Sequence, residues 1–201
     1  MSNSLPVMEH FYTIQGEGFH QGRAAYFIRL GGCDVGCVWC DVKESWDANN
    51  HPKYEIQEIV GWVKNAMIDG IVVITGGEPL MHNLDALCAA LGDAGFLTHL
   101  ETSGTHPLTG KWDWVCFSPK KFKAPLQEIY QAANELKVVI YHTSDFEWAE
   151  EHRKLVQSKC LLYLQPEWSK LEVQTNRIVE YVKLNPSWRI GLQTHKYIQV
   201  P

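Results

Sequence analysis

No apolar run in this chain is long enough to cross a bilayer, and its start lacks the charged residues and continuous apolar stretch of a secretory signal. Internal repeats and low-complexity segments are also missing, which excludes solenoids, propellers and long flexible linkers. An excess of positive charge is absent too: 18 Lys and Arg against 23 Asp and Glu leave a net charge of −5. That balance offers no broad footprint for nucleic acid, and "SPKKFK" is the only dense basic run. The histidines include His10, His82, His99, His106, His142 and His152, but these have no metal-ligand spacing. We therefore expect a cytoplasmic protein that binds neither membrane nor nucleic acid. The 201 residues, 45% of them hydrophobic, suffice for one domain over residues 1–201 with a full core.

Cysteine is present in a telling pattern. Cys88, Cys116 and Cys160 lie singly in apolar surroundings, so no disulfide framework is expected. Cys33, Cys37 and Cys40 instead form a C-x3-C-x2-C run in "GGCDVGCVWCDVKESWD", directly after the strand-like "AAYFIRL". Three thiolates can ligate three irons of a four-iron cluster and leave the fourth open to a small molecule. The same thiolates also suit a structural zinc site completed by His20 or His51, because both metals accept soft sulfur ligands.

Short apolar runs alternate with longer amphipathic segments. Strands are expected at Ala25 to Leu30, Ile71 to Ile74, Leu97 to Leu100, Trp114 to Phe117, Leu136 to Ile140, Cys160 to Leu164 and Arg189 to Leu192. Helices are expected at Ile56 to Ile68, Leu84 to Ala94, Leu126 to Ala133, Phe146 to Gln157 and Thr175 to Leu184. Asn83 is the expected N-cap of the second helix and Gly95 its stop. Strand followed by helix, repeated, implies an α/β fold with a parallel sheet. The chain is too short for a full eight-fold barrel, so a partial, open TIM-like (β/α) barrel is expected.

Polar motifs follow these strands at consistent places: the cysteine loop, "TGGEP", "ETSGT", "SPK", "QPEW" and finally "QTHKYI". In parallel α/β folds the carboxyl ends of the strands form the ligand face, so the motifs should converge on one site. Singly, each has a plainer reading. "GGEP" and "ETSGT" can be turns, "SPKKFK" a solvated loop, and His195 an ordinary surface or core histidine.

Taken together, the motifs resemble a known family. "CDVGCVWC" and "TGGEP" are similar to the cluster and GGEP motifs of the radical S-adenosylmethionine (SAM) superfamily. "EHFYTIQGEGFHQGRAAYFIRLGGC", "ETSGT", "SPK", "LQP" and "LQTHKYIQVP" resemble its 7-carboxy-7-deazaguanine synthase family over nearly the whole chain. The resemblance implies an open barrel of the radical SAM type with about six core strands. It implies a [4Fe-4S] cluster, SAM and Mg2+ as cofactors. The implied reaction is a lyase-type ring contraction of 6-carboxy-5,6,7,8-tetrahydropterin to 7-carboxy-7-deazaguanine with loss of ammonia, in queuosine and 7-deazapurine biosynthesis. A homodimer and an electron donor such as flavodoxin or ferredoxin are further implications. Two other readings share the cysteines: a small radical SAM activase that installs glycyl radicals, and a zinc-stabilised binding module.

The resemblance also implies roles for individual residues. Cys33, Cys37 and Cys40 hold the cluster, with Trp39, Cys40 and Asp41 beside SAM. Gly77 and Glu78 receive the methionine end of SAM, and Ser118, Pro119, Lys120 and Gln165 line the rest of it. Ile14, Gln15 and Gly16 meet the pterin, while Arg29 pairs with the substrate carboxylate through its fixed fork. Thr75, His195 and the terminal carboxylate of Pro201 are further substrate contacts. One position departs from the family pattern. The threonine that commonly supplies a magnesium ligand is here Val42, which offers no side-chain oxygen to a cation that demands one.

Overall fold

The computed structural model describes residues 3–201. Nine strands form one open sheet in the order β3-β1-β2-β4-β5-β6-β7-β8-β9. The first three are β1 (Ser4–Ile14), β2 (Ala24–Leu30) and β3 (Lys53–Glu55). The parallel run continues from β2 through β4 (Ile71–Gly76), β5 (Leu97–Thr102), β6 (Trp114–Phe117), β7 (Glu135–Ile140), β8 (Leu161–Pro166) and β9 (Trp188–Ile190). β1 and β3 are antiparallel additions at one edge.

All seven expected strands are present to within about two residues, the usual uncertainty of such boundaries. β1, β3 and a short terminal helix were not expected. β1 carries Pro6 and a register shift between Val7 and Glu9, which break the period-two pattern that would reveal it. β3 has three residues, too few to show any period.

The helices, apart from the short last one, pack on the outer face of the sheet. They are α1 (Ile56–Ala66), α2 (Asp85–Asp93), α3 (Gln127–Ala132), α4 (Asp145–Arg153), α5 (Leu171–Leu184) and α6 (Thr194–Ile198). α1 buries Ile56, Ile59, Val60 and Val63, the three-to-four spacing that puts one apolar stripe on the sheet. Those residues join Ile28, Ile74, Leu100, Phe117, Leu136 and Leu164 in one core between sheet and helices. α2 begins one residue later than expected: Leu84 is its N-cap, and Asn83 Oδ1 accepts the Asp85 N–H at 3.0 Å. Gly95 terminates that helix with φ of 86°, a conformation that disfavours side chains with Cβ. Among the described residues, no helix is long and apolar enough to cross a membrane.

Candidate functional site

The carboxyl ends of the parallel strands surround a cavity of about 280 Å³. Its wall includes Cys33, Cys37 and Cys40 from the loop after β2, Thr75 and Gly77 from β4 and its loop, and Ser118 and Lys120 after β6. Gln165 enters from β8, His195 from α6, and Pro201 lies against the same space. Ile14, Gln15, Gly16 and Arg29 complete the expected substrate side, while Trp39 and Asp41 flank Cys40. The convergence expected from strand order is thus observed.

The cysteine loop is held by its backbone. Gly32 N donates to Ser45 O at 2.6 Å and Cys33 N to Trp46 O at 3.0 Å, while Gly32 O accepts from Glu78 N at 2.8 Å. Gly77 permits this approach, because a Cβ there would lie 2.4 Å from Gly32 O. All three thiols are free. Burial pushes the Cys33 thiol up and the Cys37 thiol to about 11, so metal binding must displace their protons. Three free thiols around one cavity fit a cluster, whose irons each take a separate cysteine and need no common point of convergence. Gly77, Ser118 and Lys120 line the cavity beside them. Lys120 Nζ donates to Ser118 O at 2.9 Å and Ser118 Oγ at 2.6 Å and lies 5.8 Å from the Trp39 ring centre.

Two expected cofactor contacts stand outside the cavity wall: Glu78 and Pro119. The Glu78 carboxylate is 1% exposed and anchors neighbouring loops instead. It accepts from Leu80 N at 3.1 Å, Thr102 Oγ1 at 2.5 Å and Ser103 N at 2.7 Å, and also from Ser103 Oγ. Each carboxylate oxygen thus already accepts two hydrogen bonds in this arrangement. Pro119 stands between Ser118 and Lys120, both of which do line the wall. The magnesium expectation also lacks support in the residues present. Val42 lines the cavity without a side-chain oxygen, and its carbonyl already accepts from Ser45 N at 3.1 Å and Ser45 Oγ at 2.7 Å.

A buried polar floor was not anticipated. Lys137 projects from β7 into the cavity, forms an ion pair with Glu17 and lies 3.8 Å from Glu101. Gln193 Nε2 donates to Glu17 at 2.8 Å, and Gln15 Nε2 donates to Glu101 at 3.2 Å. Burial alone would raise the Glu17 carboxyl, but the charge and hydrogen bond of Lys137 outweigh it and hold Glu17 down at about 2. Burial likewise opposes the Lys137 charge, yet Cys116, Glu101, Glu17 and Glu135 drive it well above the ordinary lysine range. A lysine in the middle of the apolar strand "ELKVVI" was the available signal, since a charge there must have a buried partner.

α6 is pinned onto the loop after β1. Thr194 N and Oγ1 donate to Gly16 O at 2.9 and 3.0 Å, and a Cβ at Gly16 would strike His195 Nδ1 at 2.2 Å. Burial lowers the His195 pKa, favouring the neutral ring. Arg29, expected at the substrate carboxylate, donates from Nε to Glu9 Oε1 at 2.6 Å.

Comparison with known proteins agrees with this geometry. Residues 27–159 match the Radical SAM superfamily. A 7-carboxy-7-deazaguanine synthase of Flavobacterium psychrophilum is 54% identical over 198 residues, which cover 98% of this chain and 93% of the relative. The enzyme of that name from Synechocystis sp. is 49% identical, with 98% and 94% covered. The crystal structure of QueE from Escherichia coli superposes with a TM-score of 0.85 at 30% identity, covering 94% of each chain. With the cysteine loop, the strand order and these full-length matches in agreement, the chain belongs to the radical SAM superfamily and, within it, to the 7-carboxy-7-deazaguanine synthases.

Proposed function

We propose that this chain, as one domain, converts 6-carboxy-5,6,7,8-tetrahydropterin to 7-carboxy-7-deazaguanine with release of ammonia. The observation that carries the reading is the single cavity in which the three cysteines meet Gln15, Arg29, Thr75, His195 and the polar floor. Cys33, Cys37 and Cys40 would hold a [4Fe-4S] cluster. When bound, that cluster and SAM supply the one-electron chemistry that initiates the rearrangement. Gly77, Ser118, Lys120 and Gln165 would seat SAM, with Trp39 and Asp41 at its cluster end.

The protein's own contribution is position and exclusion of water. A pterin presents hydrogen-bond donors and acceptors along its edge, and Gln15, Glu17, Glu101, Lys137 and Gln193 offer matching groups in the cavity wall. Arg29 supplies a planar cation suited to the substrate carboxylate. His195 and Pro201 would meet the substrate from the cavity wall that both of them line. Val38, 68% exposed between Cys37 and Cys40, leaves a face of the cluster loop accessible to a flavodoxin or ferredoxin. The homodimer expectation rests on the family resemblance.

The test is an anaerobic assay of the reconstituted, untagged protein with SAM, a reductant and the carboxylated tetrahydropterin, followed by mass spectrometry. Product over many turnovers without matching SAM consumption is expected. Reductive SAM cleavage with the pterin unchanged would refute the substrate assignment. A Cys37→Ala variant should lose iron and colour; full iron retention would remove that residue from the ligand set.

A further inference from the structure

Arg29 forms part of the cavity wall, whereas its partner Glu9 stands outside it. Glu9 Oε1 takes the Nε–H of Arg29 at 2.6 Å, and among the described residues the two Nη groups have no hydrogen-bond partner. A guanidinium can grip a carboxylate side-on through Nε and one Nη, or end-on through both Nη groups. Glu9 occupies the first mode and leaves the second.

The backbone is arranged to make this pairing. β1 pairs with β2 through Val7 opposite Leu30 and Glu9 opposite Arg29, with the register shift between them. Without that shift, Met8 would face Arg29 and Glu9 would face the fully buried Ile28. A bulge of this kind bends the strand and re-aims one side chain. The pair has little to offer stability, because its side chains are 21% and 44% exposed and such ion pairs are screened by water.

We propose that Glu9 is a positioning residue that holds Arg29 for end-on, two-point recognition of the substrate carboxylate and thereby selects carboxylated pterins. This rests on Arg29 being the carboxylate-binding group. Both ideas can be tested on the reconstituted, SAM-loaded enzyme by fluorescence titration with two unreactive probes, 6-carboxypterin and pterin. The wild type should prefer the carboxylated probe. Glu9→Ala should weaken 6-carboxypterin about tenfold, the equivalent of one charge-assisted hydrogen bond, and leave pterin unchanged. Glu9→Gln keeps an oxygen for Nε and should retain most of the preference.

Tighter or unchanged 6-carboxypterin binding in Glu9→Ala would overturn the proposal, showing Glu9 to be a competitor or a bystander. Equal weakening of both probes would overturn it in favour of a purely structural role. Arg29→Met separates the two ideas. If that variant keeps the wild-type preference, the Arg29 assignment itself fails. If it loses the preference while Glu9→Ala keeps it, only the role of Glu9 fails.

Discussion

Gly77 is where the loop after β4 touches the cysteine loop, and Gly77→Ala probes that contact directly. The new Cβ would lie 2.4 Å from Gly32 O and 2.6 Å from Cys33 Cβ, whereas ordinary contact begins at 3.4 Å. Neither neighbour moves freely. Gly32 O is held by Glu78 N at 2.8 Å, and Cys33 N is held by Trp46 O at 3.0 Å. The loops must therefore separate by roughly 1 Å, an overpacking that costs about 1–3 kcal/mol. For a chain of this size the melting temperature should fall by about 2–12 °C. Because Cys33 takes the displacement, iron content after anaerobic reconstitution and SAM affinity should fall as well. Gly61→Ala is the control. It lies within α1 with nothing within 4 Å of its built Cβ, so it should stabilise the protein by about 0.5–1 kcal/mol and leave iron unchanged. A Gly77→Ala protein with full iron, wild-type SAM affinity and wild-type stability would refute the proposed loop contact.

Lys137→Met would leave the largely buried Glu17 without its cation and should lower stability by about 3–5 kcal/mol in urea titrations. A loss below about 1 kcal/mol would place the pair among ordinary surface bridges. His152, hydrogen-bonded to Tyr130 at 2.8 Å, is held by burial at about 4. Below pH 6.5 the unfolded chain gains a proton that the folded chain resists, so stability should fall as pH drops from 6.5 towards 4. His152→Gln should reduce that slope of urea midpoint against pH, the remainder coming from His99, which burial also lowers to about 4, and an unchanged slope would assign the effect elsewhere. Val42→Thr adds the missing hydroxyl and should increase stimulation by magnesium; equal responses of the two proteins across a magnesium titration would count against that role for position 42.

The parallel core was legible because its strands are apolar runs separated by amphipathic helices, a pattern imposed by burial on both faces of the sheet. The antiparallel edge was not. β1 mixes buried Leu5 and Val7 with exposed Glu9 and His10, and its bulge interrupts the alternation that would expose it as a strand. α6 contains only five residues, so its position comes from tertiary contacts such as Thr194 with Gly16 rather than from helical periodicity. The site was legible where strand ends carry short polar motifs. Its floor was harder to infer because Glu17 and Lys137 are 120 residues apart and acquire meaning only when β7 closes over the loop after β1.

Glu78 shows why a motif residue and its role must be separated. Its place beside Gly77 suggested a carboxylate available to an ammonium group, but Thr102, Ser103 and Leu80 already fill its acceptor positions. It instead ties "GGEP" to "ETSGT", while its own N–H fastens Gly32 of the cysteine loop. Three strand-end loops are therefore linked through one residue, and the cavity wall inherits the rigidity of that junction. The same division of labour appears at the substrate side, where Arg29 meets the cavity and Glu9 holds it from outside. The residues that face the cavity give the site its chemistry, and the buried or peripheral carboxylates behind them restrict the geometry in which that chemistry is offered.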